Sequence, residues 1–208
     1  MMQWLNDLMK VLLEAAYSVT GNWGLAIILL TIAVRALMYP LTVRQSEGME
    51  VMKRLQPKIQ ELQKRYKDRP EELQRRMLEL YKENNYSPFS GCLPLLLQFP
   101  ILIGLFNVLR TYPFDSGFLW LDLSTPDPYY ILPILAAVTT YTQMMQTATG
   151  DSSQRVMMML MPIFIGWISI SFPGGLVLYW VVSNLLGMIQ QWMIRRRMAL
   201  QQRSSEAS

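Results

Sequence analysis

The stretch Trp23–Leu41 reads WGLAIILLTIAVRALMYPL. A helix rises about 1.5 Å per residue and the hydrocarbon core of a bilayer is about 30 Å thick, so about 20 mainly apolar residues cross it. This stretch is long enough, and one charge alone, Arg35, interrupts it. Four uncharged runs follow: Cys92–Leu109, Tyr129–Thr147, Val156–Phe172 and Leu176–Ile194. In a chain of 208 residues, 51% apolar and 16% charged, they leave too little polar sequence to bury them in water. The fold class expected is an all-α membrane protein with five transmembrane helices around a hydrophilic groove, an N-terminal amphipathic interfacial helix and a cytoplasmic helical hairpin.

Charge fixes the expected orientation, because cytoplasmic loops collect Lys and Arg near span ends. Arg44–Tyr86 holds eleven Lys or Arg, Arg155 lies between the third and fourth runs, and Arg195, Arg196, Arg197 and Arg203 follow the fifth. The opposite set has only Lys10 and Arg110. The N-terminus is therefore expected outside and the C-terminus in the cytoplasm of a bacterial cell. The spans are placed at 23–42, 90–110, 128–147, 156–172 and 176–194. Between them lie a cytoplasmic hairpin at 44–86, an extracytoplasmic loop at 111–127, a cytoplasmic loop at 148–155 and a basic tail at 195–208.

Before the first span, residues 2–19 place Leu5, Leu8, Leu12, Ala15 and Val19 at helical spacing, opposite Gln3, Asp7, Lys10 and Glu14. No basic region precedes them, so they do not read as a signal peptide. An amphipathic helix in the outer interface fits, as does docking on the bundle. In the polar insert, Met52, Leu55, Ile59, Leu62 and Tyr66 alternate in steps of three and four, and Leu73, Met77, Leu80 and Asn84 resume after Lys67-Asp68-Arg69-Pro70. That predicts two antiparallel helices on a thin apolar seam, with Asp68 capping the second and Glu71 completing a capping box. The hairpin reads either as a solvated tether or as a contact site for partners or lipid head groups. Ser171–Gly175 is so short that the fourth and fifth spans are expected to pack as a tight antiparallel pair.

Arg35 constrains function most. An arginine at mid-span costs about 2.5–3.5 kcal/mol on insertion scales and normally faces a partner or water. Snorkelling to the cytoplasmic surface is the ordinary explanation. Against it, helix side chains lean toward the N-terminus, which aims Arg35 away from the nearer interface. No span carries a carboxylate to pair with it. Thr31, Tyr39 and Thr42 share its helix face, and other spans supply Gln98, then Thr139, Gln143 and Gln146, then Trp180, Ser183, Gly187 and Gln190. Each alone is an ordinary interhelical hydrogen-bonding residue. With an unpaired Arg they predict a water-filled cavity. Its polar lining sits at mid-span and toward the cytoplasm, while Ile27, Ile28, Leu132, Ile134, Leu176 and Val177 make the outer ends apolar. A through-pore would need polar lining along its full length, so the cavity is expected to be one-sided.

Chemistry is narrowed by what is missing from the sequence. There is no histidine, which removes Ser–His–Asp triads and the common zinc motifs. The single cysteine, Cys92, forms no internal disulfide. Lys is absent from every span, and no Gly-Lys-Ser/Thr phosphate loop is present. No catalytic residue, cofactor, metal or small-molecule substrate is expected. A cation or proton pathway would carry Asp or Glu; an anion channel or small-solute transporter is the alternative reading.

Several blocks in order make the chain resemble a known family. They are Asn22-Trp23-Gly24, Val34-Arg35 through Tyr39-Pro40-Leu41-Thr42, and Leu55-Gln56-Pro57-Lys58-Ile59. Then come Gly91-Cys92-Leu93-Pro94 with Gln98 and Pro100, and Asp127-Pro128-Tyr129-Tyr130-Ile131-Leu132-Pro133. Last are Pro173-Gly174-Gly175-Leu176, Leu178-Tyr179-Trp180 and Ser183-Asn184. From Asn22 to Gln191 the sequence resembles the YidC/Oxa/Alb family of membrane protein insertases, in a short form without a large extracytoplasmic domain or an N-terminal lipid-attachment signal. The resemblance implies a groove open to the cytoplasm and to lipid, with the family's arginine at Arg35 and positions matching Thr31, Gln143 and Trp180 lining it. Gln98 and Ser183 complete the expected client-binding set. Nascent membrane proteins and the lipid bilayer are the implied partners, with the Sec translocon and the ribosome as further candidates. The basic tail, reduced to Arg195–Arg203, predicts no strong autonomous ribosome binding.

Overall fold

The computed structural model describes residues 3–84, 86, 93–111, 117–148 and 152–206, without the side chains of Leu5, 93–98, 111, 152–155 and 202–206. The described residues form eight helices and no strand beyond an isolated Phe118–Leu121 bridge. In order they are α1 Gln3–Thr20, α2 Trp23–Leu37, α3 Tyr39–Arg65, α4 Pro70–Glu83, α5 Leu93–Thr111, α6 Ile131–Thr147, α7 Ser152–Ser169 and α8 Gly174–Glu206.

The chain turns by 115° between α1 and α2. Gly21 makes that turn at φ +65°, a conformation glycine adopts without steric cost. Asn22 then caps α2, its side-chain oxygen accepting from the Gly24 N–H at 2.9 Å and the Leu25 N–H at 3.3 Å. Met9, Leu13 and Ala16 of α1 are buried in the main core, while Leu8, Leu12 and Val19, the face picked from the sequence, stay exposed. The helix thus docks through one apolar stripe and leaves a second one outward.

Helix α8 is central, packing against α2, α3, α5 and α6. The main core gathers Ala26, Ile27 and Leu30 of α2, Leu105, Val108 and Leu109 of α5, and Leu176–Tyr179 of α8. Over it folds the 117–130 loop. Gly174 N–H donates to the Thr125 carbonyl at 2.8 Å and Gly175 N–H to that of Leu123 at 3.0 Å. Asp127 holds the loop to α6 by accepting from Trp120 Nε1 (3.2 Å), Tyr129 N–H (3.1 Å) and Leu132 N–H (2.7 Å). A smaller core of Leu55, Ile59 and Leu80 joins α3 to α4 as the seam pattern predicts.

Several boundaries differ from the sequence reading. The helix expected over 23–42 ends at Leu37, and α3 begins at Tyr39, inside that range, because Pro40 lacks an N–H and suits a first helical turn. The polar insert is therefore helical from the groove outward rather than from residue 44. Asp68 caps nothing: Arg69 is the N-cap of α4 and makes no side-chain cap bond, since Pro70 occupies N1 and shifts the start by one residue. Helix α7 begins at Ser152 and α6 at Ile131, and the basic tail is no separate segment but the end of α8, helical to Glu206. Ser90, Gly91 and Cys92 lie outside the described residues.

The expected tight pairing of α7 with α8 is also corrected. Helix α7 packs on α6 instead, and α7 and α8 barely approach. Gly166 is the reason: a Cβ there would stand 3.0 Å from Ala137 Cβ and 3.5 Å from the Pro133 carbonyl oxygen. Small residues let two apolar helices close to backbone distance. The separation leaves an apolar cleft of about 260 Å³ between α5, α7 and α8, lined by Phe99, Leu102, Phe164, Ile168, Phe172 and Trp180 among others.

Candidate client-binding groove

Below the main core α2, α6 and α8 separate, and with α3 they enclose a cavity of about 350 Å³. Arg35 is its only charged lining residue among those described. The guanidinium crosses to α8, where Nε (3.1 Å) and Nη2 (2.8 Å) both donate to Ser183 Oγ. Gln190 Nε2 donates to the Arg35 carbonyl oxygen at 3.0 Å, which ties the end of α2 to α8. No carboxylate pairs with Arg35 among the described residues. The side chain is half-buried and held by a neutral hydroxyl of α8.

The α6 wall is organised by a buried polar network. Trp180 Nε1 can only donate, which turns the Asn184 amide oxygen toward it (3.2 Å) and toward the Thr139 and Thr140 hydroxyls (3.1 and 3.0 Å). The Asn184 NH2 then donates to Gln143 Oε1 at 2.6 Å, leaving the Gln143 NH2 toward the cavity. Gln146 Oε1 and Gln190 Oε1 are buried without a donor among the described residues, a costly state unless water or a guest supplies one.

The structure brings Arg35, Gln143, Trp180 and Ser183 together on this cavity. Thr31 is not in its lining: it is buried at 1% exposure and donates to the Ile27 carbonyl of its own helix at 2.6 Å. Gln98 lies in α5, and its side chain is outside the described residues. Tyr39 accepts from Arg197 Nη1 at 3.3 Å. Sequence reasoning missed Met38, Gln45, Ser46, Met49, Asn184 and Gln191. The signal existed, since Gln45, Ser46 and Met49 fall three, four and seven residues after Thr42, one face of one helix. Ser46 Oγ lies 2.9 Å from Gln191 Oε1, which fixes α3 against α8 as the cavity's floor.

Two features flank this floor. Burial, and then Arg195, push the Lys53 ammonium down from its ordinary range, with Glu50 opposing them. Trp180 lines both the polar cavity and the apolar cleft beside it, so one side chain divides the two. Ile27, Leu105, Leu109, Leu123 and Tyr179, in the main core, are almost wholly buried. Among the described residues, the arrangement sets one cation and several amide groups beside an apolar slot.

Residues 15–202 match the family model described as 60Kd inner membrane protein. The chain is 39% identical over 196 residues to the membrane protein insertase YidC of Fusobacterium nucleatum, covering 93% of this chain and 96% of that protein. It is 45% identical over 188 residues to that of Caldanaerobacter subterraneus, covering 89% and 91%. Against the insertase of Francisella philomiragia identity is 40% over 204 residues, 94% of this chain but 36% of that longer protein. A solved structure of an active YidC insertase with its first transmembrane domain resolved superposes with a TM-score of 0.73 at 30% identity, covering 92% of this chain and 46% of that one.

Proposed function

The chain belongs to the YidC/Oxa/Alb family and is a membrane protein insertase, and from that premise we propose that it works by receiving a client's hydrophilic tail in the Arg35 groove and releasing the apolar segment sideways to lipid. The observation that carries this reading is an arginine with no ion-pair partner among the described residues, in a cavity whose other described lining residues are all uncharged. In the reduced dielectric of such a cavity, Arg35 attracts a client carboxylate more strongly than it would in bulk water. The partition at Trp180 puts the apolar cleft within reach of the segment that follows the tail. Burial of that segment contributes about 0.8 kcal/mol per methylene, enough to drive a span into lipid without a nucleotide.

In this reading α2, α5, α6, α7 and α8 are the five spans, with the N-terminus outside and the C-terminus cytoplasmic. By length and hydropathy α8 qualifies alone, and α1 and α2 qualify only as a bent pair. Support for the other crossings is the exposed apolar surface of α6 and α7: Ile134, Val138, Met159, Ile163 and Trp167 face outward from the bundle. The outward stripe of α1 suits the outer interface. The α3–α4 hairpin and the basic end of α8 lie where the Sec translocon or a ribosome would approach.

The test is sidedness. Single cysteines in a Cys92→Ser background, probed in liposomes with membrane-impermeant thiol reagents, should label at Gln143 and Gln45 from the cytoplasmic face only. Leu176 should be protected from that face. Labelling of Gln143 from the outer face in the resting protein would break the groove reading and favour a channel.

A further inference from the structure

Gly187 lies on α8 one turn beyond Ser183. A Cβ built on it would stand 3.2 Å from Arg35 Nη1, 3.2 Å from Arg35 Nη2 and 2.7 Å from Gln143 Nε2. Three donor nitrogens from two other helices thus converge on a strip of α8 that only glycine leaves bare. Their other bonds are assigned. Ser183 Oγ takes the Nε–Nη2 side of the guanidinium, and Asn184 takes the Gln143 oxygen. Arg35 Nη1 and the Gln143 NH2 have no acceptor among the described residues, and both residues line the cavity.

We propose that Gly187 is a positioning residue that seats Arg35 and Gln143 side by side, so that the two form one carboxylate subsite for an acidic side chain of the client. The proposal rests on the groove reading above and sharpens it. A positive potential alone would favour any anion at any orientation. A guanidinium end and an amide NH2 held side by side favour a planar, two-oxygen acceptor, because paired N–H donors match carboxylate geometry. A side chain at position 187 would push both donors away from α8 and apart from one another.

The experiment uses the full chain in liposomes and a single-span client in two forms: one with an acidic tail, one with every tail Asp and Glu replaced by Asn and Gln. Gly187→Ala should lower insertion of the acidic client about threefold to tenfold, the loss of part of a charge-assisted hydrogen bond, and change the neutral client by less than about twofold. Gly187→Ser should fall at least as far, since its hydroxyl offers the donors an acceptor of their own. Alanine and serine are better helix formers than glycine, so weakening of α8 itself does not predict the loss. Should either variant fail to accumulate, Gln143→Met removes the amide donors with the α8 sequence unaltered; the Asn184 NH2 loses its acceptor for both clients alike, so a fall confined to the acidic client still reports the subsite. An equal fall for both clients, or no fall for the acidic one, overturns the subsite. Arg35→Ala separates the two ideas: if it does not distinguish the clients, the groove reading itself fails. If it does and position 187 does not, only the subsite fails.

Discussion

Two successive stretches of α8, Gly175–Tyr179 and Ser183–Gln191, belong to one helix and behave as different materials. From Gly175 to Tyr179 it is packed without room: a Cβ on Gly175 would meet Leu109 Cδ2 at 2.9 Å, Ile27 Cδ1 at 3.1 Å and the Leu123 carbonyl oxygen at 3.1 Å. From Ser183 to Gln191 the same helix borders a cavity of about 350 Å³. Both stretches use a glycine for close approach. At Gly175 the approaching groups are leucine and isoleucine, which fill the space; at Gly187 they are a guanidinium and an amide, which repel apolar filling and hold it open. Polarity, not backbone geometry, distinguishes the filled stretch from the one that borders the cavity.

This contrast predicts opposite responses to truncation. Leu109→Ala, at 0% exposure, should cost about 2–5 kcal/mol, as for other large-to-small changes in a filled core. Gln45→Ala in the cavity wall should stay within about 0.5 kcal/mol, since it empties no packed space. Thermal unfolding of the two variants in detergent micelles measures the difference. Equal melting temperatures would mean that the two halves are packed alike and that the cavity is incidental.

Activity should reverse the order. Arg35→Ala is expected to lower insertion of acidic-tailed clients about tenfold, near the worth of one hydrogen bond to a charged group, with a smaller effect on neutral tails. Arg35→Lys keeps the charge but cannot make the double contact with Ser183 Oγ, so it should fall between the two. Leu109→Ala, assayed below its melting transition, should insert both clients as the unaltered protein does. A loss there equal to that of Arg35→Ala would make the sealed half part of the client path.

Most of this division could be read from the sequence, and the misses share a cause. Arg35 with Gln143, Trp180 and Ser183 was legible because each is polar within an apolar run, and polarity there has few explanations. Thr31 obeys the same rule yet bonds its own helix at Ile27, an option open to any threonine and invisible to spacing. Gln45, Ser46 and Met49 were missed for the opposite reason: in a polar insert a groove-lining residue looks like a solvated one. The α7–α8 pairing failed because loop length constrains the ends of two helices, not their flanks. What decided it was Gly166 against Ala137, a contact between segments that no local pattern ties together.

The smallest expected effect lies in the sealed half. Asp122, in the loop that covers it, accepts from the Ser124 N–H at 2.9 Å and from Ser124 Oγ at 2.7 Å. These bonds hold its carboxyl below the usual carboxylate range. A lowered folded-state value means the unfolded chain binds the proton more readily. The contribution to stability is then complete at neutral pH and is lost as the pH falls below about 4, the ordinary carboxylate value, toward the folded one. Because the group is largely exposed, solvent weakens the effect, and it should appear as a small local loosening of the loop rather than as unfolding. An impermeant thiol reagent added from outside to a Leu123→Cys variant in a Cys92→Ser background checks it. After a brief exposure to acid and return to labelling pH in the presence of reagent, modification should rise modestly over the unexposed sample, and Asp122→Asn should remove that pH dependence. A rise that persists in Asp122→Asn would assign the acid sensitivity to another group and leave the seal's stability independent of this turn.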